Sequence, residues 1–145
     1  GWDTHYDNFT KVESRAAILD KGFAALLKDL EDKGLLESTL VVIGSEFGRT
    51  PHIVTEHSNG RDHHPSCFST VMAGAGIRGG TTYGTSDKEG RKPADKPVSV
   101  QDINATIGYA LGIDSQKILH SPSGRPFRMA GAEKDLGNPI EDIFI

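Results

Sequence analysis

The chain has 145 residues, 36% hydrophobic and 25% charged, with a net charge of −4. That is enough for one domain with its own core, in the ordinary range for a globular protein. The acidic balance speaks against a nucleic-acid binder, which carries a basic patch, and no apolar run approaches the roughly 18 residues of a membrane span. The single cysteine, Cys67, excludes an internal disulfide.

Gly1-Trp2-Asp3-Thr4-His5 is a polar cluster of the kind that ends a strand. Opening a chain so abruptly, it is expected of a piece of a longer polypeptide. Asp3 and His5 are one residue apart, and in extended backbone such positions share a side. A carboxylate and an imidazole placed so form either a surface pair or two ligands of one metal ion. From Phe9 to Gly34 the apolar residues Val12, Ala16, Leu19, Phe23, Leu26, Leu27 and Leu30 follow a helical period. Asp7 or Asn8 is placed to cap this helix and Gly34 to end it. The helix is expected to cover one face of a sheet.

Leu40-Val41-Val42-Ile43 is a short, β-branched apolar run that reads as a strand buried on both faces. Glu46 follows at its carboxyl end, where open α/β sheets carry their chemistry. It is either a functional carboxylate or a partner that pins the loop through Arg49. The stretch from Phe47 to Pro65 has no periodicity, and loops of that length are commonly functional. It holds His52, His57, His63 and His64. The run Arg61-Asp62-His63-His64 offers either metal ligands or a stacked histidine pair, with Asp62 placed to orient His63. Cys67 to Met72 is expected as a strand, Ala73 to Gly80 as a glycine-rich turn into an edge hairpin, and Thr81 to Tyr83 as a short strand. Ser99 and Asp102 predict a capped helix start. That helix ends at Gly112, with close packing at Gly108. Ile140 to Ile145 predicts a last short strand or a docked tail.

Phe23 to Gly48 (FAALLKDLEDKGLLESTLVVIGSEFG) resembles the helix–strand–loop of sulfatases and their relatives in the alkaline phosphatase superfamily. Val100 to Ile113 (VQDINATIGYALGI) resembles a helix near the end of those enzymes. Gly1–His5, Glu46–Pro51 and Gly60–His63 together resemble a sulfatase-like bacterial family catalogued as a domain of unknown function, number 1501. The likeness spans essentially the whole chain. It implies an α/β fold, a mostly parallel sheet flanked by helices of the alkaline phosphatase/sulfatase type, with residues 1–145 as the carboxyl-terminal part of a single domain.

The function implied is metal-dependent hydrolysis of sulfate or phosphate esters, on a small-molecule or glycan anionic ester. Asp3, His5 and His63 would hold a divalent metal (Zn, Ca, Mg or Mn). Glu46 would be a ligand or general base, and Arg49 would face the anionic group. Phe47 falls where a second metal usually finds a ligand and cannot supply one, and His64 falls at a wall position. No residue here matches the nucleophile of those enzymes, since Cys67 lacks the Cys-x-Pro-x-Arg context. The nucleophile is therefore expected in polypeptide upstream of Gly1, which would be the chain's main partner. Export to the periplasm or beyond is implied by the same resemblance. Phe47 favours the alternative, a sulfatase-like scaffold or binding protein without catalysis.

Overall fold

A computed structural model describes residues 1–132 and 134–145. The longest element is α1 (Asn8–Asp32), formed where the apolar period is helical. Gly34 terminates it in the left-handed region at φ 65°, as expected of a residue without a Cβ. Its start differs from expectation. Asp7 is itself left-handed (φ 51°), and its side chain caps nothing. The amides of Asp7 and Asn8 instead donate to the carbonyls of Ser58 and Asn59 at 3.1 and 3.4 Å. A distant loop thus does the work of a cap.

The sheet overturns the sequence expectation. β1 (Val41–Ile43) pairs antiparallel with β4 (Val71–Ala73), and β2 (Gly48–Arg49) with β3 (His63–His64). β5 (Thr85–Ser86) pairs with β6 (Pro93–Asp95), and β7 (Leu119–His120) with β8 (Pro126–Phe127). Two α-helices and short antiparallel ribbons take the place of the mostly parallel sheet, so among the described residues this is not an alkaline phosphatase-like α/β fold. The run is not buried on both faces as expected either, since Val42 is exposed and Val41 and Ile43 are only half-buried. An apolar run of four residues does not state strand direction. Parallel pairing also needs a crossover, usually helical, and the only helical turn between β1 and β4 is the 3-10 turn Thr55–His57. The strand expected over Cys67–Met72 contracts to β4. The one expected at Thr81–Tyr83 does not form, the hairpin starting instead at Thr85.

The core is thin. Ala105 and Ala130 are the buried apolar residues among those described, while Ile18 is 74% exposed and Leu19 and Leu26 are also open. α1 packs on the 3-10 turn Leu36–Ser38 rather than across a sheet. The accessible surface is 10,057 Å² for 15.6 kDa, against about 7,200 Å² for a self-contained domain of that mass. The difference exceeds the roughly 800 Å² that each partner contributes to a standard interface. Among the described residues no helix is long and apolar enough to cross a membrane.

α2 (Val100–Ala110) carries the best-formed local motif. Ser99 Oγ accepts from the Asp102 amide at 3.1 Å, and Asp102 Oδ2 accepts from the Ser99 amide at 2.8 Å. The same carboxylate accepts from the Asn138 amide through Oδ1, so the helix start also holds the tail. Gly108 is buried with the Ile113 carbonyl and Met129 Sδ at contact distance, as its close packing predicted. The tail docks: the Ile145 amide donates to the Gly76 carbonyl at 2.9 Å, and that of Arg78 to Ile143 at 2.8 Å.

Expressed by itself, the 145-residue chain is expected to bind a hydrophobic dye such as anilinonaphthalene sulfonate and to self-associate. A monomeric, dye-silent chain in sedimentation and fluorescence would refute the open-face reading. Desolvation raises the Asp102 pKa, but the hydrogen bonds from Ser99 and Asn138 outweigh it and hold the carboxyl below its usual range. Its contribution to stability is therefore complete above the unfolded carboxylate pKa and is lost as pH falls through the lower folded value. In denaturant unfolding of the full-length protein, Ser99→Ala is expected to cost about 1 kcal/mol. The Asp102→Asn deficit should be constant at neutral pH and shrink in acid.

Candidate functional site

Three segments meet at the loop cluster beside α1. Thr4 lies between Asp3 and His5, and only 1% of it is exposed. Its hydroxyl donates to Asn8 Oδ1 at 2.7 Å, and its carbonyl accepts from the Arg61 amide at 3.3 Å. Burying Thr4 turns its neighbours outward together, which is the alternation read from the sequence. Gly60 makes the approach possible. A Cβ there would overlap the His5 carbonyl oxygen, although its backbone φ is not positive. The glycine is required for clearance, not conformation. The β2–β3 ribbon supplies the other side. Arg49 is opposite His63, so the two side chains share a face. Thr50 closes the ribbon, its amide donating to the Asp62 carbonyl at 2.9 Å while its Oγ1 accepts from the Asp62 amide at 3.1 Å.

The result is a triangle of ligand-type atoms. His5 Nε2 is 3.1 Å from His63 Nε2, and Asp3 Oδ1 is 3.2 Å from each. Edges of this length resemble the roughly 3.3 Å separating ligands around a tetrahedral zinc with bonds of about 2.0–2.1 Å. Asp62 Oδ1 accepts from His5 Nδ1 at 2.9 Å. A neutral imidazole that donates through Nδ1 keeps its lone pair on Nε2. With its Nδ1 committed to Asp62, His5 turns Nε2 toward Asp3 and His63, where either a shared proton or a cation would satisfy the three atoms.

Charge shapes the cluster further. Arg49 Nη2 donates to Asp3 Oδ1 and its Nη1 to the Arg61 carbonyl. The Arg49 hydrogen bond, then that of His63, lowers the Asp3 pKa to about 2. The His5 hydrogen bond holds Asp62 below its usual value. Both carboxylates are ionised throughout the neutral range.

Of the residues singled out in the sequence, Asp3, His5 and His63 converge, and Arg49 reaches Asp3 rather than Glu46. Glu46 is exposed in the bend after β1 and outside the triangle. Asp62 orients His5, not His63. Phe47 lies against the His63 ring, centroids 4.2 Å apart. His64 stays out of the ligand set, its Nε2 buried with no hydrogen-bond partner among the described residues, as a wall residue would be. Sequence reading missed Thr4, Thr50 and Gly60. Only the alternation around Thr4 offered a signal, because Gly60 looks like any loop glycine.

The family model described as Protein of unknown function (DUF1501) matches residues 1–144, and the chain belongs to that family. No curated protein and no solved structure matches it.

Gly60 and Gly22 make a paired test. Gly60→Ala forces the 4–6 backbone away and is expected to cost about 1–3 kcal/mol, as overpacking does. Gly22 lies within α1 with open space around its Cβ position, so Gly22→Ala is expected to stabilise by roughly 0.5–1 kcal/mol. Urea unfolding of the full-length protein measures both, and equal effects would contradict the clearance role.

Proposed function

We propose that Asp3, His5 and His63 bind a divalent metal ion and that the protein hydrolyses sulfate or phosphate esters with it. The observation carrying this reading is the triangle of two imidazole nitrogens and one carboxylate oxygen, with Asp62 fixing the tautomer of His5 from behind. Three protein ligands leave coordination positions free, the pattern of a catalytic rather than a structural site. Two nitrogen donors favour zinc over calcium, magnesium or manganese, which prefer oxygen. Such an ion supplies charge stabilisation on a transferring oxyanion and lowers the pKa of bound water. The chain's own share is to hold the ligands ionised and oriented and to present Arg49 to an anionic group. Glu46, exposed after β1, is the base that the motif resemblance offers.

Ester hydrolysis itself, the kinship with sulfatases and export rest on the motif resemblance. Further polypeptide covering the open apolar faces belongs to the same proposal and is supported by the surface area. One observation favours a second reading, a scaffold that binds without turnover. Phe47, at the position where the resemblance would put a ligand of a second metal, packs against the His63 ring instead.

Metal analysis of the full-length protein after exhaustive dialysis is expected to give bound zinc, lost in His63→Ala. Asp62→Asn should weaken affinity about 10–100-fold, as loss of an orienting partner does. Unchanged occupancy in His63→Ala would remove the assignment. Aryl sulfate and aryl phosphate assays then separate the two functions, and a loaded protein that turns over neither ester supports the scaffold.

A further inference from the structure

The Arg49 guanidinium is committed at both ends of its fork. Nη1 donates to the Arg61 carbonyl at 3.1 Å, and Nη2 donates to Asp3 Oδ1. That oxygen is the one both imidazole Nε2 atoms face at 3.2 Å. A divalent cation held by the three groups through Asp3 Oδ1 would share that oxygen with Arg49 and stand beside its fixed positive charge. Building on the metal-centre reading, we propose that Arg49 and the cation compete for Asp3, so that metal loading frees Arg49 Nη2 for an oxyanion. The site then takes metal first and a sulfate- or phosphate-type anion second.

Three features carry this order. The contested atom is a single oxygen, not two oxygens of one carboxylate. The Arg49 side chain is 22% exposed and that of Asp3 66%, so the fork emerges from a covered stem at an open rim, where an anion can replace Asp3 without moving the backbone. The other guanidinium nearby, Arg61, is spent on the Thr50 and Pro51 carbonyls at 2.6 and 2.8 Å and lies over the Phe9 ring. Arg49 Nη2 is the donor left for an incoming ligand, held in place by the Nη1 bond to the Arg61 carbonyl, and it suits a charge-assisted hydrogen bond to an oxygen of a tetrahedral anion.

The opposite arrangement, in which Arg49 braces Asp3 to receive the metal, predicts the opposite sign. Cobalt(II) titration of the full-length protein, followed by visible absorbance, distinguishes them. Under competition Arg49→Met binds cobalt at least about tenfold more tightly than the wild type, since a repelling charge and a rival donor are both removed. Arg49→Gln, which retains a donor for the Arg61 carbonyl, does the same, separating charge from lost support. Arg49→Lys keeps the charge and stays near wild type. Calorimetry with inorganic sulfate and inorganic phosphate in separate arms should find binding to the cobalt-loaded wild type only, and none to Arg49→Met in either state. Equal or weaker cobalt binding by both neutral variants, or anion binding that ignores cobalt, would overturn the competition. A wild-type protein that takes up no cobalt overturns the metal centre beneath it, an outcome visible before any variant is made.

Discussion

The seating of residues 4–8 on residues 58–61 is the contact from which the rest of the site follows. It is made almost wholly by backbone: the amides of Asp7 and Asn8 reach the Ser58 and Asn59 carbonyls, and the Arg61 amide reaches that of Thr4. Gly60 lets the two chains close to a separation that any side chain would forbid. This seam starts α1 in place of a side-chain cap. It also brings two residues near one end of the chain against a histidine about sixty positions later. If it were displaced by the width of a methyl group, the His5 and His63 nitrogens could not stay within hydrogen-bond reach.

Electrostatics then concentrates on one atom. Asp3 Oδ1 faces two imidazoles and a guanidinium, while Asp62 on the far side of His5 fixes which nitrogen carries that ring's proton. The arrangement gathers acceptors and limits protons. A surface ion pair of ordinary kind would not need an orienting carboxylate behind one partner, since exposed pairs gain little and tolerate loose geometry. The order in this cluster comes from Asp62 behind His5 and from Arg49 beside Asp3.

Local chemistry was legible in the sequence where it depended on spacing. The alternation of Asp3 and His5, the Ser99–Asp102 reciprocity and the Gly34 and Gly112 helix ends are set by residues within a few positions of each other. So was the choice of His63 over His64, although that came through resemblance rather than geometry. Strand direction was not legible. Leu40 to Ile43 would look the same in a parallel or an antiparallel sheet, and the partner of β1 lies across a loop with no pattern of its own. Asp62 was read as serving its neighbour His63, but it serves His5, because the seam places a remote ring closer to it than an adjacent one. Clearance at Gly60 was invisible for the same reason: the obstacle is a carbonyl more than fifty residues away.

These two kinds of legibility correspond to two sources of order. The site is held by polar contacts among the residues of the 3–8 and 49–63 segments, and it owes little to a hydrophobic core. The ribbons and the outer face of α1 depend instead on burying apolar surface, and the chain closes over little of it: Ala105 and Ala130 are small, while Ile18, Leu19 and Leu26 remain open. Burial near 25 cal/mol per Å² is the main driving force of folding, so the elements with the most apolar surface left to cover are those whose arrangement is least fixed by the chain itself. Polar groups already paired have no such freedom, because opening a buried hydrogen bond without replacement costs about 1–3 kcal/mol. Covering the open faces would therefore add to the stability of the ribbons and helix, while the relative placement of Asp3, His5 and His63 is already set by the seam they sit on.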